Sequence, residues 1–319
     1  MKLLEKPLSL KSRGQINIVL NQKELKQSSE AALGFSEADR EKHYILEKIE
    51  KELEELVGLK EMKRFIKEIY AWLYINKCRK EQGLKTGNQV LHMIFKGNPG
   101  TGKTTVARLL AKLFKDMEVL SKGHLHEVER ADLVGEYIGH TAQKTRELVK
   151  KSVGGILFID EAYSLARGGE KDFGKEAIDT LVKAMEDQQH DFVLILAGYS
   201  REMDHFLSLN PGLPSRFPIT MKFPDYTNDE LIEIARKMVG DRQYELEREA
   251  ELKLRDYLRS LKAERSFNFS NGRLIRNIIE KAVRAQAVRL LYQGKYDRKA
   301  LLTLTKDDIK VEKMLNEEL

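Results

Sequence analysis

Apolar and polar positions divide the chain into three regimes. Residues 1 to about 40 show no sustained periodicity. The stretch "QINIVLN" (15–21) alternates weakly, as one short strand would, and the polar run after it reads as a mobile arm or docking segment. From residue 44 to 81 apolar side chains return at steps of three and four, with a break at Gly58. Met62, Phe65, Ile66, Ile69, Trp72 and Leu73 then share one helix face. Next, short apolar runs alternate with amphipathic stretches. Strands are expected at 91–95, 125–129, 155–160, 192–198 and 219–223, and helices from near Lys103, Thr141, Lys175 and Glu202. Runs such as "ILFI" and "VLILA" are apolar without alternation, as both faces of a covered parallel sheet require. After "FPDYT" (223–227) strand patterns vanish, and 228–293 reads as helices.

The expected organisation follows from that pattern. An arm occupies 1–45. An α/β domain occupies 46–226, with about five parallel strands sandwiched by helices. A small all-α domain occupies 227–319. Composition adds limits. The 319 residues are 33% charged and 41% hydrophobic, as in a soluble globular protein. No apolar run reaches the ~20 residues of a membrane helix, and the first residues lack the apolar core of a secretory leader. Cys78 is the one cysteine, so no internal disulfide forms and a reducing cytoplasm is expected. On its helical pattern Cys78 reads as a small buried hydrophobe. The net charge of +6 is interleaved along the chain, except for a basic stretch at 284–299. That stretch reads first as a solvated helix face, and nucleic acid is disfavoured as a partner.

The chemistry begins at "GNPGTGKT" (97–104), which fits G-x-x-x-x-G-K-[ST] between an expected strand and an expected helix. Gly97, Gly100 and Gly102 let the backbone curl so that successive N–H groups face phosphate oxygens. Asn98, Pro99, Thr101 and Thr105 complete the loop around the phosphates. Lys103 reaches the β and γ phosphates of ATP, and the Thr104 hydroxyl suits Mg²⁺. "GILFIDEA" supplies Asp160 and Glu161 at the C-terminal end of a buried strand, where open α/β sheets bind ligands. Asp160 is expected on Mg²⁺ and Glu161 on the attacking water. His124 and His126 share a strand face, but two histidines make an incomplete zinc site. "GEYIGHT" (135–141) sets Tyr137 and Ile138 between glycines. Such a pair either folds into the core or touches something outside the chain.

With these motifs the sequence resembles the AAA+ ATPases. More narrowly it is similar to the branch of red-type Rubisco activases and stage V sporulation ATPases. "LVGL" (56–59), "GNPGTGKTT", "ERADLVGEYIGHTAQKT", "GGILFIDEAYSL", "LILAGY", "NPGLPSRF" and "SNGRLIRN" carry the resemblance, in order, from about residue 50 to 290. "GQINIVLN" and "DEAYSLARGGEKDFGKEAIDTLV" favour the sporulation side. The resemblance implies an ATP hydrolase with a lid domain, working as a homo-oligomeric, hexameric ring on a protein client in spore maturation. It implies that Val57, Gly58 and Leu59 lie near the adenine. Arg216 is implied as an arginine finger acting on the next subunit's γ-phosphate, and Arg273 as the lid's sensor, with Arg276 a weaker candidate. Tyr137 and Ile138 are implied to grip the client in a central pore, on a loop that Gly135 and Gly139 let move. One departure concerns the fourth strand, where a polar sensor is usual and "ILAGYS" offers Tyr199 or Ser200. Two other functions fit the same core: a motor stimulated by nucleic acid, and a slow nucleotide-dependent scaffold.

Overall fold

The computed structural model describes residues 43–87, 90–137, 139–168, 172–263 and 269–311. The strand expected at 15–21 lies outside them. Two helices come first, α1 (Tyr44–Glu54) and α2 (Lys60–Glu81), parted by Gly58 and Leu59, both at positive φ. Met62, Phe65, Ile66 and Ile69 are buried on α2, with Trp72 and Leu73 packed at the edge of the same cluster. Cys78 is half-buried rather than buried: it follows the apolar part of α2, where the helix leaves the core.

All five expected strands form. They are β1 (Met93–Gly97), β2 (Leu125–Val128), β3 (Ile156–Ile159), β4 (Val193–Gly198) and β5 (Ile219–Phe223). They make one sheet in the order β2-β3-β4-β1-β5, and each pairing is parallel. Between them run α3 (Lys103–Asp116), the short α4 (Arg130–Leu133), α5 (His140–Ser152), α6 (Gly174–Asp187) and α7 (Ser200–Leu209). A 3₁₀ turn at Ala162–Ala166 follows β3.

The two-residue period of a strand divides the core in two. Met93, Phe95, Ile156, Phe158, Val193 and Ile195 join the cluster under α1, α2 and α3. Their neighbours Ile94, Leu157, Ile159, Leu194 and Leu196 join the cluster under α5, α6 and α7. Both faces of β3 and β4 are thus covered, which explains why they lack apolar–polar alternation, whereas the edge strand β5 alternates buried and exposed positions.

Beyond Thr227 the chain is helical: α8 (Asn228–Gly240), α9 (Arg248–Ala263), α10 (Asn271–Gln293) and α11 (Arg298–Leu302). Thr227 and Glu230 cap α8 reciprocally, side chain to backbone in both directions. The sequence pattern suggests no strands here, yet β6 (Glu245–Leu246) pairs in parallel with β7 (Thr303–Leu304). Strands of two residues are too short to leave a periodic trace. A third apolar cluster holds these elements together and includes Tyr226 and Leu231. None of the described helices is long and apolar enough to cross a membrane.

Candidate nucleotide site

A cleft of ≈ 690 Å³ opens at the C-terminal end of the sheet, between the α/β layers and the lid. The loop from β1 to α3 forms its floor. Gly100 and Gly102 have φ of 69° and 94°, which a side chain would strain. Gly97 serves another purpose: a Cβ there would stand 2.4 Å from the Phe223 carbonyl on β5. Pro99, Gly100, Gly102, Lys103, Thr104 and Thr105 line the cleft. Asn98 and Thr101 brace the loop from outside the lining. The Thr101 hydroxyl donates to the Asn98 carbonyl at 2.7 Å, and the Asn98 amide donates to Asp225 at 2.9 Å.

Lys103 Nζ donates to the Gly97 and Asn98 carbonyls, both at 2.8 Å. Burial lowers its pKa from the usual lysine value, and the nearby Asp160 carboxylate opposes that shift. Asp160 and Glu161 directly follow β3 on the same wall. Asp160 Oδ1 accepts the Glu161 N–H at 2.9 Å, and Glu161 takes a left-handed backbone, φ 46°. Such a conformation is uncommon for a side chain without an amide and marks a site worth explaining. Tyr199 lines the cleft from the end of β4, its ring 5.8 Å from Tyr163. Burial first, then the Glu161 carboxylate, raises the pKa of both phenols. Ser200 is exposed at the start of α7 and does not line the cleft.

The far end of the cleft is more apolar. Val57 and Leu59 line it, as do Ile234 and Met238 of α8. Gly58 sits behind them, and a Cβ there would meet Glu230 at 2.5 Å and Tyr226 at 3.4 Å. Tyr226, buried, donates its hydroxyl to the Thr101 carbonyl at 3.2 Å. Tyr226, Ile234 and Met238 escaped the sequence reading because they lie more than a hundred residues from the phosphate loop. The aromatic in "FPDYT", just before a helix-capping Thr, was the available signal. Arg273 and Arg276 of α10 complete the lining.

The donor set fits a magnesium nucleotide. Backbone N–H groups curled at a helix N-terminus and a lysine suit phosphates. A threonine hydroxyl and a carboxylate supply the hard oxygen ligands that Mg²⁺ prefers. The cleft volume lies within the ~300–1,000 Å³ usual for ligand sites.

Two expected site residues lie apart. Arg216 does not line the cleft; it is held by Glu186 of α6, with Nε 3.0 Å from Oε1, and by the Gly212 carbonyl at 2.7 Å. Tyr137 is 65% exposed, its ring edge-on to His140 at 5.4 Å. The reading in which it folds into its own core is therefore set aside. Ile138 lies outside the described residues. Gly135 packs tightly, since a Cβ there would stand 2.5 Å from that of His140, while Gly139 at φ 83° leads into α5. The two glycines thus meet steric demands at the base of the loop. His124 and His126 lie 4.8 Å apart and bond to the Lys151 carbonyl and the Ser152 hydroxyl. Among the described residues no group of three or more His, Cys, Asp or Glu is placed to hold a metal ion.

Comparison with known proteins agrees with this architecture. The model of the ATPase family associated with various cellular activities matches residues 93–225, and an AAA lid domain model matches 227–318. The chain is 64% identical to stage V sporulation protein K of Bacillus subtilis, covering 97% of this chain and 98% of that protein. It is 47% identical to protein CfxQ of Xanthobacter flavus, covering 82% and 83%, and 45% identical to protein CbbX of Cereibacter sphaeroides, covering 85% and 87%. In fold it is similar to the RuvB Holliday junction branch migration motor of Thermotoga maritima. There the TM-score is 0.53 at 21% identity, over 82% of this chain and 70% of that one. An ATPase core followed by its lid, matched over nearly the full length of such relatives, means that the chain belongs to the AAA family of ATPases.

Proposed function

We propose that this ATPase couples hydrolysis in a homo-oligomeric ring, expected to be a hexamer, to remodelling of a protein client, in spore formation. The observation that carries the reading is the separation of two residues from an otherwise complete cleft. Arg216 stands outside its own chain's nucleotide site, and Tyr137 projects from a loop whose base is strapped down. The straps are specific. Thr141 Oγ1 accepts the Gly135 N–H at 2.9 Å, and Lys144 donates to the Ala131 and Val134 carbonyls at 3.1 Å each. A firm base with an exposed aromatic tip suits gripping an extended polypeptide. The sporulation role rests on the likeness to stage V sporulation protein K.

In this reading the loop of 97–105 and Lys103 hold the phosphates, and Val57, Gly58 and Leu59 set the adenine against Tyr226. Thr104 and Asp160 would hold Mg²⁺, whose chemistry is to neutralise charge on the β and γ oxygens. Glu161 orients the attacking water and accepts its proton. Tyr199 flanks that water, and Arg273 answers to the γ-phosphate from the lid. Arg216 serves the neighbouring subunit's site. With a cytoplasmic location, the client meets the ring from the same compartment.

Tyr137→Ala is expected to keep ATP binding and basal hydrolysis while losing stimulation by a protein client. Steady-state hydrolysis with unfolded casein as a surrogate client, and then with proteins captured from sporulating cells, measures this. Stimulation by DNA or RNA instead, falling steeply with salt, would replace the protein client with nucleic acid. Tight ATP binding without turnover would favour a scaffold.

A further inference from the structure

Asn271 opens α10 in an unusual manner. Its backbone is left-handed, φ 46°, and its side chain is fully buried. It is not the helix cap: Ser270 occupies that position, with no side-chain cap bond. Every polar atom of the Asn271 amide is directed away from its own helix. Oδ1 accepts the Tyr226 N–H at 2.9 Å. Nδ2 lies 2.7 Å from Asp225 Oδ1, 3.0 Å from the Phe269 carbonyl and 3.4 Å from the Pro99 carbonyl. Asp225 meanwhile accepts a second amide, that of Asn98, through both oxygens at 2.9 and 3.0 Å. One carboxylate therefore joins an amide of the phosphate loop to an amide of the lid.

The backbones meet at the same point. The Gly272 N–H donates to the Gly100 carbonyl at 3.1 Å. A Cβ on Gly100 would stand 2.3 Å from the Ser270 carbonyl and 2.6 Å from the Arg273 nitrogen. The first turn of α10 thus rests on the loop, and the next residue along is Arg273.

We propose that Asn271 is a positioning residue. Through Asp225 it ties the phosphate loop to the lid's long helix, and it thereby sets where Arg273 stands at the γ-phosphate end of the cleft. The inference rests on Arg273 acting there. Its chemistry calls for an amide. Alanine removes both ends of the tie. Aspartate keeps the acceptor for Tyr226 but sets a carboxylate against Asp225. Exchanging the two residue types, Asn271→Asp with Asp225→Asn, reverses donor and acceptor between them and rebuilds that one bond, although a carboxylate oxygen then faces the Phe269 carbonyl and Asn98 keeps a single acceptor.

The test compares binding of ADP and of a non-hydrolysable ATP analogue, by displacement of a fluorescent ADP. Hydrogen exchange at residues 98–102 and 271–274 is followed alongside. Arg273→Ala should reduce the preference for the triphosphate by roughly tenfold. Asn271→Ala should reduce it similarly, the double variant should lose no more than Arg273→Ala alone, and the exchanged pair should recover part of it, above Asn271→Asp alone. Exchange should quicken in both segments together in Asn271→Ala. A normal preference in Asn271→Ala beside a reduced one in Arg273→Ala overturns the positioning role, as do losses that multiply in the double variant. If Arg273→Ala itself changes nothing, the sensor assignment fails. The tie is then judged by exchange alone: joint quickening supports it, and unchanged protection overturns it.

Discussion

Arg216→Ala is expected to lower ATP turnover by about 10³-fold or more while leaving ATP binding to the same chain intact. The guanidinium stands outside its own cleft, so its loss removes nothing that the bound nucleotide touches within that chain. In a ring it would face the next subunit's γ-phosphate, where a planar cation stabilises charge as the phosphoryl group transfers. Within its own chain it is paired with Glu186, the two side chains being 33% and 55% exposed. A pair that open is worth roughly 0.2–1 kcal/mol. A thousandfold rate effect corresponds to about 4 kcal/mol, so exchanging Glu186 for a developing phosphoryl charge is favourable. Mixing supplies the decisive measurement. Arg216→Ala subunits keep a working phosphate loop, and Lys103→Ala subunits keep a working finger. Neither hydrolyses alone, and hybrid rings should. No recovery at any mixing ratio would argue against a finger that acts across subunits.

The second large effect is expected from Glu161→Gln: turnover down by about 10²–10⁴-fold with ATP still tightly bound. Glutamine preserves size but cannot accept the proton of the attacking water. Asp160 is untouched and remains available to Mg²⁺. Rapid-quench hydrolysis beside equilibrium ATP binding separates chemistry from affinity. Unchanged turnover would move the base role elsewhere. The same variant, held in its ATP state, is the natural trap for identifying the client from cells.

Much of this was legible because it is local. The central strands β3 and β4 are contiguous apolar runs, and β5 alternates with the two-residue period of a strand. The phosphate loop, Asp160 and Glu161 are short motifs, and a helix or strand places them without help from distant residues. The rest depends on tertiary meetings that no window of sequence contains. Tyr226 lies 125 residues from the Thr101 carbonyl it bonds, and Asn271 lies 172 residues from Pro99. The SNGR segment could be marked for its arginine, but nothing local distinguishes its asparagine, whose partners lie in distant segments. Arg216 could be marked, but not its pairing with Glu186, which needs α6 and the segment before β5 side by side. The Thr227–Glu230 cap, by contrast, could have been read directly from "TNDE".

Backbone geometry has a bearing on stability as well as on catalysis. Among the described residues five without a glycine's freedom have positive φ; two of them, Leu59 and Glu161, line the cleft, and a third, Asn271, directly precedes the lining residues Gly272 and Arg273. At Leu59 and Glu161 this costs the fold about 1–2 kcal/mol each, whereas asparagine adopts the conformation more readily. The wall of the nucleotide cleft therefore carries backbone strain. Replacing Glu161 by glycine should raise the melting temperature while abolishing hydrolysis. A chain shaped for durability alone would carry glycine at this turn; a glutamate there is what the proposed role of Glu161 on the attacking water calls for.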